Sequence, residues 1–299
     1  MDEEMLVLSP KKTVKSMGLL YFEPSGAFCF EKNRWVKIYE VTGDINKAAL
    51  AVLKTRSRVK ITQKITEEND QRIYITLLSE ASSYEEVKKI WGADEKILSE
   101  MIRVKPLKVN EAIEAVMSLP LGEKRSFSYA SFVRSKNDLF KECFPDVSET
   151  KEHFMVGSKT GSSFFFMEYP SPFAFDSFRF LKELGCTCFV TFDLEGIGDK
   201  DLYLKSLEKK YSKTLSENIL NDIFGISVRL SFLCDSKDAL DIVGKTVKTL
   251  FFRSGYLVSD SFWSQKESFL SQISLGLIDI ETHLNTRILK NIYGKEDAT

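Results

Sequence analysis

The segment ALDIVGKTVKTL, residues 239–250, approaches the pattern of a phosphate-binding loop. In such a loop, four residues separate a first glycine from a Gly-Lys-Ser/Thr sequence, and backbone N–H groups bind the phosphate oxygens. Gly244, Lys245 and Thr246 supply the second part here, and Ala239 takes the place of the first glycine. One hypothesis is therefore a nucleotide-binding enzyme that uses a degenerate loop from Ala239 to Thr246.

The same residues fit a helix better than a loop. Leu240, Gly244, Val247 and Phe251 recur at a spacing that places them on one face of a helix. Asp241 and Lys245 lie four residues apart on the other face, where an ion pair can form. The pattern therefore predicts a continuous helix over 236–253, without a loop to hold phosphate.

A second hypothesis concerns nucleic acid. The segment RSFSYASF, residues 125–132, resembles the aromatic strand of an RNA-recognition module, in which Phe127 and Tyr129 would stack on bases. Arg125 and Arg134 would then contact phosphates. The alternative is an ordinary strand with aromatic residues on one face and serines on the other. A formal net charge of -1 favours the ordinary strand, and no nucleic-acid partner is expected.

Cysteines and histidines give no metal or nucleophile pattern. Cys186 and Cys188 share one face of a predicted strand, but a zinc site needs two more ligands, so we predict buried core thiols. His153 and His283 are the two histidines, and we expect both at the surface. The sequence therefore yields no catalytic, cofactor-binding or metal-binding residue, and we expect a protein that is not an enzyme and has no cofactor.

The composition is that of a globular protein in a reducing compartment. Of 299 residues, 43% are hydrophobic and 28% charged. The five cysteines are an odd number in a chain too large to need disulfides, which favours the cytoplasm. No signal peptide or apolar run long enough to cross a membrane is expected. The 23 phenylalanines indicate either a bulky aromatic core or a surface that binds a partner.

Strand and helix patterns predict an α+β fold. Ser83 and Glu86 form a capping box that begins a helix, which Gly92 is expected to break, and 58–65 and 72–79 read as a β-hairpin. The order of predicted strands and helices in 35–120 is repeated after residue 186. We therefore predict two related split β-α-β (ferredoxin-like) halves, a β-hairpin-rich insert and a helical C-terminal segment. The expected organisation is a flexible tail at 1–16, subdomains at 17–120 and 181–272 around the insert at 121–180, and a helical segment with a polar tail at 273–299.

Four segments carry a resemblance to a known family. They are RWVKIYEVTGDIN (34–46), FPDVSETKEHFMVGSKTGSSFFFMEYPSPF (144–173), FVTFDLEGIGDKDLYLKSLEKKY (189–211) and SLGLIDIETHLNTRI (274–288). In this order they resemble the amino-terminal region of the large ATPases of conjugative transfer and type IV secretion. In that family this region precedes a RecA-like motor, which we expect to be absent here.

The resemblance implies docking rather than ATP hydrolysis. In the family, the amino-terminal region contacts the membrane-embedded secretion channel and neighbouring subunits. We therefore expect a non-catalytic interaction component of a conjugation apparatus, peripheral at the cytoplasmic face of the membrane. The expected partners are channel proteins and a separate motor ATPase, and a homo-oligomer is a further expectation.

Overall fold

A computed structural model describes most of the chain. The described residues are 18–43, 47–48, 51, 55, 57–120, 126–128, 143–170, 173, 175–196, 223–278 and 286–289. The expected tail at 1–16 lies outside them. Helices and an antiparallel sheet together form an α+β fold, so the predicted fold class is confirmed.

Thirteen strands and four α-helices lie wholly within the described residues. The strands are β1 (Leu19–Phe22), β2 (Ala27–Phe30), β3 (Arg34–Thr42), β4 (Arg58–Ile65), β5 (Gln71–Glu80), β6 (Arg103–Pro106), β7 (Val147–Glu149), β8 (Phe154–Val156), β9 (Lys159–Glu168), β10 (Thr187–Gly196), β11 (Ile223–Cys234), β12 (Leu257–Asp260) and β13 (Thr286–Leu289). The helices are α1 (Tyr84–Met101), α2 (Val109–Ser118), α3 (Lys237–Arg253) and α4 (Gln265–Ile273), with a 3-10 segment at Phe175–Glu183.

The strands form one antiparallel sheet. Its order is β1-β2-β3-β5-β4-β10-β11-β9-β8-β7, and β6, β12 and β13 pair with β3, β9 and β11. The hairpin of β8 and β9, which falls in the segment expected as an insert, belongs to this sheet because β9 pairs with β11. The sheet is thus continuous from the first half to the second.

Each half has the split β-α-β arrangement. In the first half the neighbours run β6-β3-β5-β4, and in the second they run β12-β9-β11-β10. Helical residues 47–48 and 51 lie between β3 and β4, and the 3-10 segment lies between β9 and β10. Helices α1 and α3 follow β5 and β11. Both halves therefore have the β-α-β-β-α-β order, and the pair β4–β10 joins them edge to edge.

Helices cover both faces of the sheet. On one face, α1 and α3 bury Trp91 and Phe251 against sheet residues that include Phe232. On the other face, α2 and α4 bury Ile113 and Phe269 in a second cluster. Successive side chains along each strand point alternately to one face and to the other.

Most local predictions agree with these elements, but some differ, including the strand expected over 125–132, which is not formed at the described residues 126–128. Helix α1 begins after Ser83, whose hydroxyl accepts from the Glu86 N–H, but the helix continues through Gly92 rather than breaking there. Residues 286–289 form strand β13, so the helix expected there is wrong. Pairing with β11 provides backbone hydrogen bonds to this segment, and such a distant partner leaves no local pattern.

Candidate functional site

Helix α3 contains the segment that approaches a phosphate-binding loop. Its N-cap is Ser236, whose hydroxyl oxygen accepts from the N–H of Ala239 at 3.2 Å. The helix continues without interruption through Gly244 and Lys245 to Arg253. Because N–H groups inside a helix donate to carbonyls four residues earlier, they cannot surround a phosphate. The predicted helix is confirmed, and these residues do not form a loop.

A groove lies beside α3 on the face that carries Lys245. It encloses a cavity of about 270 Å³ between the helix, the turn before β8 and the turn after β12. The α3 wall consists of Lys237, Leu240, Asp241, Gly244, Lys245 and Lys248. The floor and opposite wall consist of Glu152, His153, Ser162, Phe164, Asp260 and Phe262. We call this cavity the α3 groove.

The lysines that line the α3 groove differ in whether they form an ion pair. Lys248 donates to Asp260 Oδ2 at 2.6 Å, and its Nζ lies 4.8 Å from the centre of the Phe164 ring. Lys237 and Lys245 have no ion pair among the described residues, so the pair expected between Asp241 and Lys245 does not form. The helix side of the groove therefore carries an excess of positive charge.

Two exposed aromatic residues stand at the edge of this groove. Phe262 and Trp263 are 47% and 60% exposed, and they lie in the turn 261–264, which we call the aromatic turn. The backbone of Trp263 has a φ of 59°, a left-handed conformation that bulky residues seldom adopt. Such strain costs on the order of 1–3 kcal/mol and persists only where neighbouring contacts impose it.

Backbone hydrogen bonds hold the aromatic turn in place. The N–H of Trp263 donates to the Lys151 carbonyl at 3.2 Å, and the N–H of Ser261 donates to the Ser163 carbonyl at 3.0 Å. The Lys151 ammonium lies 5.6 Å from the centre of the Phe262 ring, close enough for a cation–π interaction. The turn therefore presents its aromatic side chains from a fixed backbone, which lowers the entropy cost of binding a partner.

The other sequence candidates lie away from this site or have other roles. Phe127 is buried, and its N–H donates to Glu114 Oε1 at 2.8 Å, so its ring is not available to stack on a base. Tyr129, Arg125, Arg134 and His283 lie outside the described residues. His153 lines the α3 groove and interacts through Nδ1 with the Thr150 hydroxyl at 2.9 Å, which the sequence did not indicate.

Cys186 and Cys188 are buried, as predicted, with sulfur atoms 3.7 Å apart. The hydrogen bond with Cys188 and burial raise the pKa of the Cys186 thiol, and Cys186 and burial raise that of Cys234. Both effects favour the protonated form of Cys186 and Cys234.

The sequence did not lead us to predict the aromatic turn, which lies in the segment expected as the second subdomain, 181–272. A signal was present, because two large aromatic residues follow Asp260 and Ser261, residue types that favour turns. The α3 groove had no such signal, since its walls come from four separate segments.

Within the described residues, no helix combines the length and apolar character needed to cross a membrane, and no cluster of three or more His, Cys, Asp or Glu residues is arranged to hold a metal. No protein-family model matches the chain, and no curated protein matches it either.

Proposed function

We propose that this chain is a non-catalytic docking component of a conjugative-transfer, or type IV secretion, apparatus. The observation that carries the proposal is the aromatic turn, where Phe262 and Trp263 project from a strained, hydrogen-bonded backbone beside the α3 groove. Tryptophan is among the residues that most often supply the binding energy of protein interfaces. The choice of apparatus rests on the four segments that resemble the amino-terminal region of the secretion ATPases.

Docking follows from the chemistry of this surface. An exposed indole and an exposed phenyl ring offer apolar area, while the lysines beside them offer charge-assisted hydrogen bonds at the rim. A partner that covers both rings removes them from water without a large change in the shape of the turn. The partners that we propose are channel proteins at the cytoplasmic face of the membrane and a separate motor ATPase.

A direct test uses defined partners. The full chain is expressed together with the channel and motor proteins of the conjugation apparatus encoded in the same genome, and each purified pair is titrated by interferometry. We expect Trp263→Ala to weaken one of these pairs at least about tenfold, since truncation of an aromatic residue central to an interface costs ~2 kcal/mol or more.

The matched control is Phe252→Ala. Phe252 is 73% exposed and lies in α3, but it does not line the α3 groove, so its removal should leave the affinity unchanged. No measurable binding to any of these proteins, or equal losses for the two variants, would contradict the proposal.

The nucleotide hypothesis has its own test. The N–H groups around Lys245 lie inside a helix, and we therefore expect a calorimetric titration with ATP to give no saturable heat. Saturable binding of ATP that disappears in Lys245→Ala would replace docking by nucleotide binding as the function of this face.

A further inference from the structure

Three of the five cysteines lie together at one end of the sheet. Cys186 directly precedes β10, Cys188 lies within β10, and Cys234 is the last residue of β11. All three side chains belong to the core cluster on the face that α1 and α3 cover. Their thiols are free, with the three residues 5%, 0% and 3% exposed. The fold therefore gathers three reduced thiols from two neighbouring strands.

The register of β10 and β11 places Cys186 opposite Cys234. Thr187, the first residue of β10, pairs with Leu233, so the antiparallel ladder puts Cys234 across from the residue before Thr187. The side chains of Cys186 and Cys234 are within hydrogen-bonding distance. Directly opposite residues of an antiparallel pair have Cβ atoms about 4.5–5.5 Å apart, and a disulfide spans about 3.5–4.5 Å between Cβ atoms. A small movement at the end of this ladder therefore brings the two cysteines within bonding range.

Cys188 is the other neighbour of Cys186, but its position suits a disulfide less well. The sulfur atoms of Cys186 and Cys188 lie 3.7 Å apart. Residues two apart along an extended strand are separated by roughly 6.6 Å and direct their Cβ atoms the same way, which leaves those atoms too far apart for a disulfide. A bond between Cys186 and Cys188 would therefore require the start of β10 to bend.

The thiols lie close to a cluster of ion pairs. Lys159 donates to Glu67 Oε1 at 2.8 Å, and its ammonium lies 2.6 Å from Asp235 Oδ1. Hydrogen bonds between the thiols and burial raise the pKa of Cys186 and Cys234, and the nearby carboxylates raise it further. Because the thiolate is the form that attacks an oxidant, oxidation of this pair is slow at neutral pH and accelerates as the pH rises.

We propose that Cys186 and Cys234 are an oxidative modification site, at which a small hydroperoxide converts the two thiols into a disulfide between β10 and β11. This inference does not depend on the proposed docking function.

The reaction with hydrogen peroxide is a two-electron oxidation in two steps. One thiolate attacks a peroxide oxygen, the O–O bond breaks, and a sulfenic acid forms while the departing hydroxide takes up a proton to become water. The second thiolate attacks the sulfenic sulfur, the S–O bond breaks, and the oxygen leaves as a second water. The two thiols thus lose two electrons and two protons, and the peroxide is reduced to two waters.

The disulfide would join two elements of the second half. Cys186 follows the 3-10 segment Phe175–Glu183, and Cys234 lies two residues before Ser236, the N-cap of α3. Closing the loop 186–234 lowers the entropy of the unfolded chain. The oxidised protein is therefore expected to resist unfolding more strongly than the reduced protein.

Peptide mapping tests the proposal. The reduced full-length protein is treated with hydrogen peroxide at pH 8, its remaining thiols are alkylated, and it is digested with trypsin without reductant. We expect the tryptic peptides 183–200 and 230–237 to be joined, with the fragmentation spectrum placing the bond between Cys186 and Cys234. A bond within 183–200, between Cys186 and Cys188, or no bond at all would overturn the proposal.

Cys188→Ser and Cys234→Ser form a matched pair of variants, since each replaces one buried sulfur of the same cluster by oxygen. We expect Cys188→Ser to form the joined peptides in the same yield as the natural protein and Cys234→Ser to form none. Circular dichroism shows whether each variant is folded, and the map of the natural protein decides if one of them is not. Joined peptides in Cys234→Ser, or their loss in a folded Cys188→Ser protein, would contradict the assignment.

Unfolding in urea checks that the native fold accommodates the bond. The midpoint should rise when the natural protein and Cys188→Ser are oxidised, and it should stay unchanged for Cys234→Ser. An oxidised natural protein that unfolds at the same or a lower urea concentration would show that the bond forms only by distorting the fold, and the proposed site would then be wrong.

Discussion

Thr62 and Thr191 face each other across the junction of the two halves, with their Oγ1 atoms 3.2 Å apart. They are directly opposite in the pair β4–β10, and they occupy equivalent places in their halves. Outward from Thr62 the paired residues are Tyr74, Glu40 and Lys105, and outward from Thr191 they are Arg229, Phe165 and Ser259. An approximate two-fold axis therefore passes between the two threonines.

This arrangement gives each half the partner that its edge strand needs. Strands β4 and β10 would each expose unpaired N–H and C=O groups in an isolated half, and such edges favour aggregation. Pairing them buries both edges in one sheet. The junction is reinforced by Arg58, whose guanidinium donates to both carboxylate oxygens of Asp193 at 2.9 and 2.7 Å.

Asp193→Asn should destabilise the junction. Asp193 is 2% exposed, and removal of its charge leaves the Arg58 guanidinium without a full counter-ion in a largely buried place. We expect the free energy of unfolding in urea to fall by about 2–3 kcal/mol, below the loss for a fully buried pair because the Arg58 side chain is one-third exposed.

The matched control for this change is Glu67→Gln. Glu67 accepts from Lys159 at 2.8 Å in a more exposed pair, and its loss should cost less than about 1 kcal/mol. Equal losses for the two variants would show that the junction pair contributes no more than a surface pair.

Lys64→Met should stabilise the protein at neutral pH. Lys64 is 5% exposed, and burial lowers the pKa of its ammonium to about 8, with a smaller contribution from Arg72. An unfolded lysine has a pKa near ~10.4, so the unfolded chain binds more protons between these values, and stability rises with pH across that interval. At pH 7 the buried ammonium of Lys64 lowers the free energy of unfolding by about 2–3 kcal/mol. Methionine has no charge and therefore avoids this cost.

The measurement is urea unfolding of both proteins at pH 7.0 and 9.5. The advantage of Lys64→Met should be largest at pH 7.0 and shrink toward pH 9.5. Lys88→Met, at an exposed position of α1, serves as the control and should show no such dependence. An advantage that is equal at the two pH values would contradict the lowered pKa.

Gly26→Ala and Gly92→Ala should have opposite effects on stability. Gly26 has a φ of +88°, and a Cβ there would lie 1.9 Å from the Leu107 carbonyl oxygen, so the β1–β2 turn must shift. Gly92 lies inside α1 with nothing within 4 Å of the added Cβ, and alanine should stabilise the helix by ~1 kcal/mol. Thermal unfolding checks both signs, and a stabilised Gly26→Ala protein would contradict the close contact.

The parts of this fold that depend on nearby residues could be predicted from the sequence. The serine caps and the stripe of Leu240, Val247 and Phe251 define helices α1 and α3, because capping and periodicity depend on nearby residues. Strand β13 and the pairing of β9 with β11 could not be predicted from the sequence, because in each case the two paired strands are distant along the chain. The α3 groove could not be predicted for a related reason, because its lining comes from four segments that are distant along the chain.

Trp263→Gly should separate strain from binding at the aromatic turn. Glycine adopts a φ of 59° without steric cost, so the variant should be more stable than Trp263→Ala, which keeps the Cβ atom in the left-handed region. We expect a difference of about 1 kcal/mol in the free energy of unfolding, while both variants lose partner binding to the same extent. If Trp263→Gly gained nothing over Trp263→Ala, the backbone of this turn would carry no strain, and the tryptophan would contribute to docking through its indole alone.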